Sequence, residues 1–153
     1  VSACPNHQTG RTTPFATRGA VASLGATGYE LDLTKLPEEE KVQVREQIKN
    51  YKGIDELVLR GDLYRLADPF KGNYFCEMLV GKDKSKAYVV GERFRADPCD
   101  HDRVLKLRGL DEGKTYAIRE LNVTASGAAL MGAGLFCPRL PDCGSWVWHI
   151  EEV

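Results

Sequence analysis

No stretch of this 153-residue chain is apolar for long enough to cross a bilayer as a helix, and no signal-peptide pattern opens it. An excess of charge is missing too. Lys and Arg number 21 against 22 Asp and Glu, a formal net charge of −1, so nothing electrostatic points to nucleic acid or an anionic membrane as partner. The five cysteines, Cys4, Cys76, Cys99, Cys137 and Cys143, are odd in number, scattered and without a C-x-x-C pair. That argues against a secreted disulfide framework and for idle thiols in a reducing cytoplasm. Cys4 with His7, and Cys99 with His101, come nearest to metal spacing, but each supplies two ligands where a structural zinc takes four, so no metal is expected. The nucleophile elbow, the phosphate-binding glycine loop and the zinc-helix motif are absent as well. No Met opens the chain, and Val1-Ser2-Ala3-Cys4 looks like the middle of a strand, so a cut or processed chain is expected.

What is present is ordinary for a folded globular protein, with 42% hydrophobic and 28% charged residues and neither repeat nor low-complexity segment. Val1 to Cys4 is β-like and ends at Pro5, and a polar loop from Asn6 to Thr13 follows. Thr13-Pro14 offers a cap and a first-turn proline for a helix carrying Phe15, Ala16, Ala20, Val21 and Leu24, closed by Gly25 and weakened by Gly19. Tyr29, Leu31 and Leu33 alternate with Glu30 and Asp32, which predicts a strand. After Leu36-Pro37 a second helix is predicted. Glu38, Glu39 and Glu40 fill its first turn, Val44, Ile48 and Tyr51 form an apolar stripe, and Lys52-Gly53 ends it.

This β-loop-α-β-α order belongs to parallel α/β architectures, yet two βα units cannot build such a sheet alone, and a barrel needs roughly 250 residues. From Ile54 onward the period shortens to that of strands. They are predicted at Leu63–Leu66, Tyr74–Val80, Lys86–Arg95, Val104–Leu107, Thr115–Arg119 and Trp146–Ile150, with a hairpin across Gly81–Ser85 and a helical turn around Ala128–Met131. Strands and turns at this spacing predict an antiparallel sandwich of roughly 90–100 residues. The expected fold class is α/β followed by all-β.

Asn6, His7, Gln8 and Arg11 are the densest polar group, on a loop after a strand, where parallel barrels carry their active-site face. They are candidates for substrate contact; the competing reading is that they satisfy backbone groups of the loop. Glu30 with Asp32 has the spacing of any half-exposed strand. Trp146 and Trp148 share one strand face and could stack on a sugar, although core packing is the commoner use. Asn122-Val123-Thr124 matches a glycosylation acceptor, which matters only on a secretory route. No complete set of catalytic residues emerges.

The run Ser2-Ala3-Cys4-Pro5-Asn6-His7-Gln8-Thr9-Gly10-Arg11, with Thr13-Pro14 and Thr17-Arg18-Gly19, closely resembles a stretch of bacterial α-galactosidases of glycoside hydrolase family 36. Gly28-Tyr29-Glu30-Leu31-Asp32-Leu33-Thr34-Lys35-Leu36 with Glu38-Glu39-Glu40-Lys41 resembles the next block of those proteins. Gly61-Asp62-Leu63-Tyr64-Arg65-Leu66, Pro69-Phe70, Gly72-Asn73, Asp83-Lys84-Ser85, Leu107-Arg108-Gly109-Leu110-Asp111 and Trp148-His149 continue the likeness in order. The family commonly has Ser where Pro37 stands.

The resemblance implies that residues 1–55 are the last two βα units of a (β/α)8 TIM barrel and residues 56–153 a C-terminal β-sandwich domain. It implies a parent enzyme that hydrolyses terminal α-galactosides such as melibiose and raffinose, or acts in a related way on N-acetylgalactosaminides or by galactosyl transfer. That parent would be cytoplasmic and homo-oligomeric, and would use no metal or organic cofactor. The family is retaining, with a nucleophile and an acid/base carboxylate. The nucleophile follows a Lys-Trp pair, no Lys-Trp-Asp occurs here, and the acid/base lies on an earlier barrel strand. Neither carboxylate is therefore carried by this segment, and Asn6, His7 and Arg11 would shape the substrate face. The alternative is an autonomous sandwich that binds sugar or serves as structure.

Overall fold

The computed structural model describes residues 1–98 and 103–153, which leaves the Cys99–His101 pair outside the described residues. Helix α1 (Phe15–Ala22) starts directly after Pro14. Pro14 rather than Thr13 is the capping residue, and no side chain caps the helix. The carbonyl of Thr13 is engaged instead by Arg18 Nε at 3.1 Å. The helix stops three residues before Gly25 with Ser23 as its C-cap, so Leu24 lies beyond it and still packs toward the core.

The expected strands around residues 1–4 and 29–33 contract to one parallel bridge, Ser2 to Glu30. Asp32 is the reason the second strand stops. Its Oδ1 accepts from the backbone N (3.0 Å) and hydroxyl (2.6 Å) of Thr34, pulling the chain into a 3-10 turn over Leu33–Lys35. Glu30 and Asp32 thus do not form a strand-face pair.

Helix α2 (Glu38–Arg60) begins with the three glutamates, Lys41 bonding Glu38 at 2.7 Å, but it does not end at Gly53. It runs seven residues further, to Arg60. Ile54, Leu57 and Val58 continue the apolar stripe after Tyr51 and bury against the sheet, which outweighs the cost of about 1 kcal/mol for one internal glycine. The division expected at residue 55 falls inside this helix.

Among the described residues eight strands follow: β1 (Asp62–Ala67), β2 (Tyr74–Val80), β3 (Lys86–Arg93), β4 (Val104–Leu105), β5 (Thr115–Ile118), β6 (Val123–Ser126), β7 (Leu135–Phe136) and β8 (Gly144–Glu152). Six make one antiparallel sheet in the order β1-β2-β3-β8-β5-β6; β4 and β7 pair separately. Where a sandwich of two sheets is expected, the second sheet among the described residues is this two-stranded ribbon.

Alternation along the central strands divides the core. Cys76, Met78, Val89, Trp148 and Ile150 point to the side where Leu105, Leu107, Leu110 and Leu130, the last from α3 (Gly127–Gly132), close over them. Leu79, Tyr88 and Val90 point the other way, onto Ile54 and Leu57 of α2. Trp146 and Trp148 are buried, so they present no platform for a sugar ring, and the binding role considered for them is withdrawn. Among the described residues no helix is long and apolar enough to cross a membrane.

Candidate functional site

The polar loop from Cys4 to Thr13 is gathered at its neck by one side chain. Arg18 of α1 donates from Nη1 to the carbonyl of Ser2 and from Nε to that of Thr13, and its guanidinium lies 4.8 Å above the Phe15 ring. Phe15 in turn stacks on Tyr29, whose hydroxyl donates to Gln47 Oε1 at 2.8 Å, and Gln47 Nε2 donates back to the carbonyl of Phe15 at 3.3 Å. The loop neck is thereby referred to α2. Gly19 has its use here, because a Cβ at that position would overlap the Gln47 amide.

Inside the loop Asn6 is the organiser. Its Oδ1 accepts from the backbone N–H groups of Gln8 and Thr9, both at 3.0 Å, and from the Thr9 hydroxyl at 3.1 Å. Its backbone N–H donates to Arg11 O at 2.9 Å, its carbonyl accepts from Gly10 N at 2.8 Å, and Gly10 takes the left-handed φ of +68° that the tight return needs. Asn6 spends its side chain on the loop itself, while His7, Gln8 and Arg11 stand exposed. The structure brings Asn6 and Arg11 together through the backbone, with His7 beside them.

Arg11 also lines a cleft of about 660 Å³, shared with Arg18, Thr17, Glu92, Phe94 and Cys143, between α1 and the end of the sheet. Thr17 Oγ1 donates to the Cys143 carbonyl at 2.6 Å and closes one wall. Glu92, on the helix-facing side of β3, has its carboxyl pushed above the usual range by burial. Reasoning from sequence passed over Glu92. The only signal was its parity with Tyr88 and Val90, and that becomes meaningful once a helical layer is known to cover that face.

Among the described residues no three of His, Cys, Asp and Glu come close enough to hold a metal ion. Cys4 Sγ lies 3.7 Å from the Thr13 carbonyl and makes no site with His7. The site is therefore a hydrogen-bonded loop with a polar, partly cationic rim, suited to donating hydrogen bonds to a polar ligand. The described residues supply no nucleophile–base pair beside it.

A model of the melibiase family matches residues 1–61, and a model of the glycosyl hydrolase family 36 C-terminal domain matches residues 74–150. Alpha-galactosidase AgaA of Geobacillus stearothermophilus is 44% identical over 100% of the chain, which spans 21% of that protein. Alpha-galactosidase Mel36A of Lactobacillus acidophilus is 43% identical, again over 100% of the chain and 21% of the relative. Among solved structures, a form of AgaA in complex with raffinose superposes with a TM-score of 0.95 at 42% identity, over 100% of this chain and 21% of that one. The chain spans about a fifth of the length of the relatives it matches.

Proposed function

The chain belongs to glycosyl hydrolase family 36, and from that premise we propose that it is the closing part of a bacterial α-galactosidase. The observation that carries the proposal is likeness over the entire chain, at 44% identity, to a protein named as an α-galactosidase, together with a TM-score of 0.95 to a solved form of it holding raffinose. The substrate class is accordingly terminal α-D-galactosides of the melibiose and raffinose type, hydrolysed with retention by two carboxylates about 5–5.5 Å apart. Both carboxylates come from outside these 153 residues: no Lys-Trp-Asp, which would carry the nucleophile, occurs in them, and the acid/base belongs to an earlier barrel strand. The reaction runs on carboxylates and water, with no metal or organic cofactor, in a cytoplasmic homo-oligomer.

In this reading residues 1–55 contribute the last two βα units of the (β/α)8 barrel, and residues 56–153 are its C-terminal β domain. The parallel contact of Ser2 with Glu30, with α1 between them in sequence, supports the first assignment. His7 and Arg11 face bound sugar from the loop rim as hydrogen-bond donors, and Asn6 holds that rim in shape.

The test is a chimera in which this chain replaces the matching fifth of Geobacillus AgaA. Retained turnover of an aryl α-galactoside and of raffinose is expected. A folded chimera without turnover overturns the proposal, and inhibitor-sensitive turnover by the 153 residues alone overturns the assignment of the carboxylates to other segments.

A further inference from the structure

The helical layer and the sheet are joined by one continuous run of hydrogen bonds whose direction follows from its far end. Ser23 Oγ lies 2.6 Å from the carbonyl of Ala20, a group that only accepts, so the Ser23 proton is committed there. The Ser23 oxygen therefore accepts from the Tyr88 hydroxyl at 3.1 Å. With its own proton spent, Tyr88 accepts from Asn50 Nδ2 at 3.0 Å. That orientation turns Asn50 Oδ1 toward His149 Nε2, which must then be the donor. On the other edge of the imidazole, Nδ1 is 2.6 Å from Glu120 Oε1, while Glu120 Oε2 accepts from the backbone N–H of His149 at 2.8 Å. An Nδ1 without a proton would set a lone pair against a carboxylate oxygen. Both ring nitrogens of His149 thus face acceptor oxygens in this arrangement.

We propose that this run is a proton-operated latch between the α1–α2 layer and the sheet, with His149 as the group that takes up and releases the proton. The proton leaves from Nε2 to solvent through the cleft of about 440 Å³ that His149 lines. Asn50 then meets the bare Nε2 with an acceptor, so its amide turns over. Nδ2 now donates to Nε2, and Oδ1 accepts the Tyr88 proton. Ser23, still donating to Ala20, is left facing an oxygen with no proton between them. Loss of a proton on β8 removes a hydrogen bond at the end of α1, across three elements.

Burial raises the Tyr88 hydroxyl above its ordinary range, the hydrogen bonds it shares with Ser23 and Asn50 opposing, so Tyr88 remains a donor throughout. The charged groups around the imidazole are of both signs: Glu120 and Arg119 from the turn before β6, Glu46 and Lys49 from α2, Lys86 from β3 and Glu151 on β8 itself. Of these charged groups Glu120 is the one in hydrogen-bond contact with the ring. The side chain of His149 is 13% exposed and that of Glu120 29%, so the pair is sheltered but reachable by water. The latch is independent of the α-galactosidase reading.

The experiment is a pH titration of the ¹⁵N-labelled chain by NMR, following the imidazole nitrogens, the Asn50 side-chain amide and hydrogen exchange in α1 corrected for intrinsic pH dependence. His149→Gln identifies the His149 signals; should it not fold, contacts to the Tyr88 ring, whose centroid is 5.0 Å away, identify them instead. The imidazole and the Asn50 amide are expected to change with one midpoint. Exchange at Ser23 and the last turn of α1 should rise about fivefold on deprotonation, the effect of one net hydrogen bond. In Tyr88→Phe the first two signals still move together and α1 no longer responds. An Asn50 amide indifferent to the titration, equal α1 exchange in both states, or an unaltered α1 response in Tyr88→Phe overturns the latch.

Discussion

Trp146 lies over Gly91, its cross-strand partner in the β3–β8 pairing, so closely that a Cβ on Gly91 would overlap the six-membered ring of the indole. Absence of a side chain on one strand is what lets a tryptophan lie down on the next, with Tyr74 edge-on to it at 6.3 Å and Trp148 at 6.0 Å. Gly91→Ala must push the indole out of this cluster, and overpacking of a filled core costs roughly 1–3 kcal/mol. Urea unfolding should show that loss as a lower midpoint at unchanged slope, with a shifted tryptophan emission. A midpoint equal to that of the parent chain would mean that the ring is not packed there.

Gly53 is the opposite case. It sits inside α2 with nothing within 4 Å of where a Cβ would stand. Gly53→Ala should therefore raise stability by about 0.5–1 kcal/mol, through helix propensity and a less free unfolded chain. A helix that ended at Gly53 would show no such gain, so thermal unfolding of this variant checks the continuity of α2 in solution.

Glu92 sets a pH dependence. Its carboxyl is raised by burial, so the folded chain binds its proton more tightly than the unfolded chain does. Its stabilising contribution is complete below the ordinary carboxylate range and is lost as pH rises through the higher folded value. Glu92→Gln should accordingly raise the melting temperature at pH 7 and change it little at pH 3. A gain at pH 3 equal to that at pH 7 would contradict the assignment.

In the AgaA chimera the rim and its support should separate. Asn6→Asp keeps the oxygen that three donors share and should retain most activity, whereas Asn6→Ala releases the loop. His7→Ala and Arg11→Ala each remove a donor and should lower kcat/KM by roughly 5–150-fold if a hydrogen bond to bound sugar is lost. Stability unchanged and kcat/KM unchanged would remove them from the substrate face.

The sheet was legible wherever one local signal decided. Tyr74–Val80 and the hairpin to Lys86 follow from alternation interrupted by Gly81-Lys82-Asp83-Lys84-Ser85, and α3 follows from its small residues around Leu130. The short strands β6 and β7 went unforeseen and the strand expected at Val104–Leu107 ends at Leu105, while other errors came where two local signals competed. Lys52-Gly53 looks like a helix stop until Ile54 and Leu57 are known to have a sheet to lie on, and the alternation from Tyr29 to Leu33 gives way to the turn chemistry of Asp32. Loop geometry at Asn6 was within reach, since Asn6 to Arg11 is local. Nothing local marks Glu92, or ties Asn50 to His149 across 99 positions.

The uninterrupted α2 ties two regions of different architecture together as a shaft would. A flexible linker absorbs an added residue; a helix transmits it. One residue inserted between Leu57 and Arg60 would advance everything downstream by about 1.5 Å and turn it by about 100°. Ile54 and Leu57 would then swing off Leu79 and Val90, and the loop that Arg18 holds at the far side would keep its shape while its neighbour rotated away. Length changes in this lineage are therefore expected to collect in the turns between strands and to be missing from residues 53–60, where the register of the helix is also the alignment of the two halves.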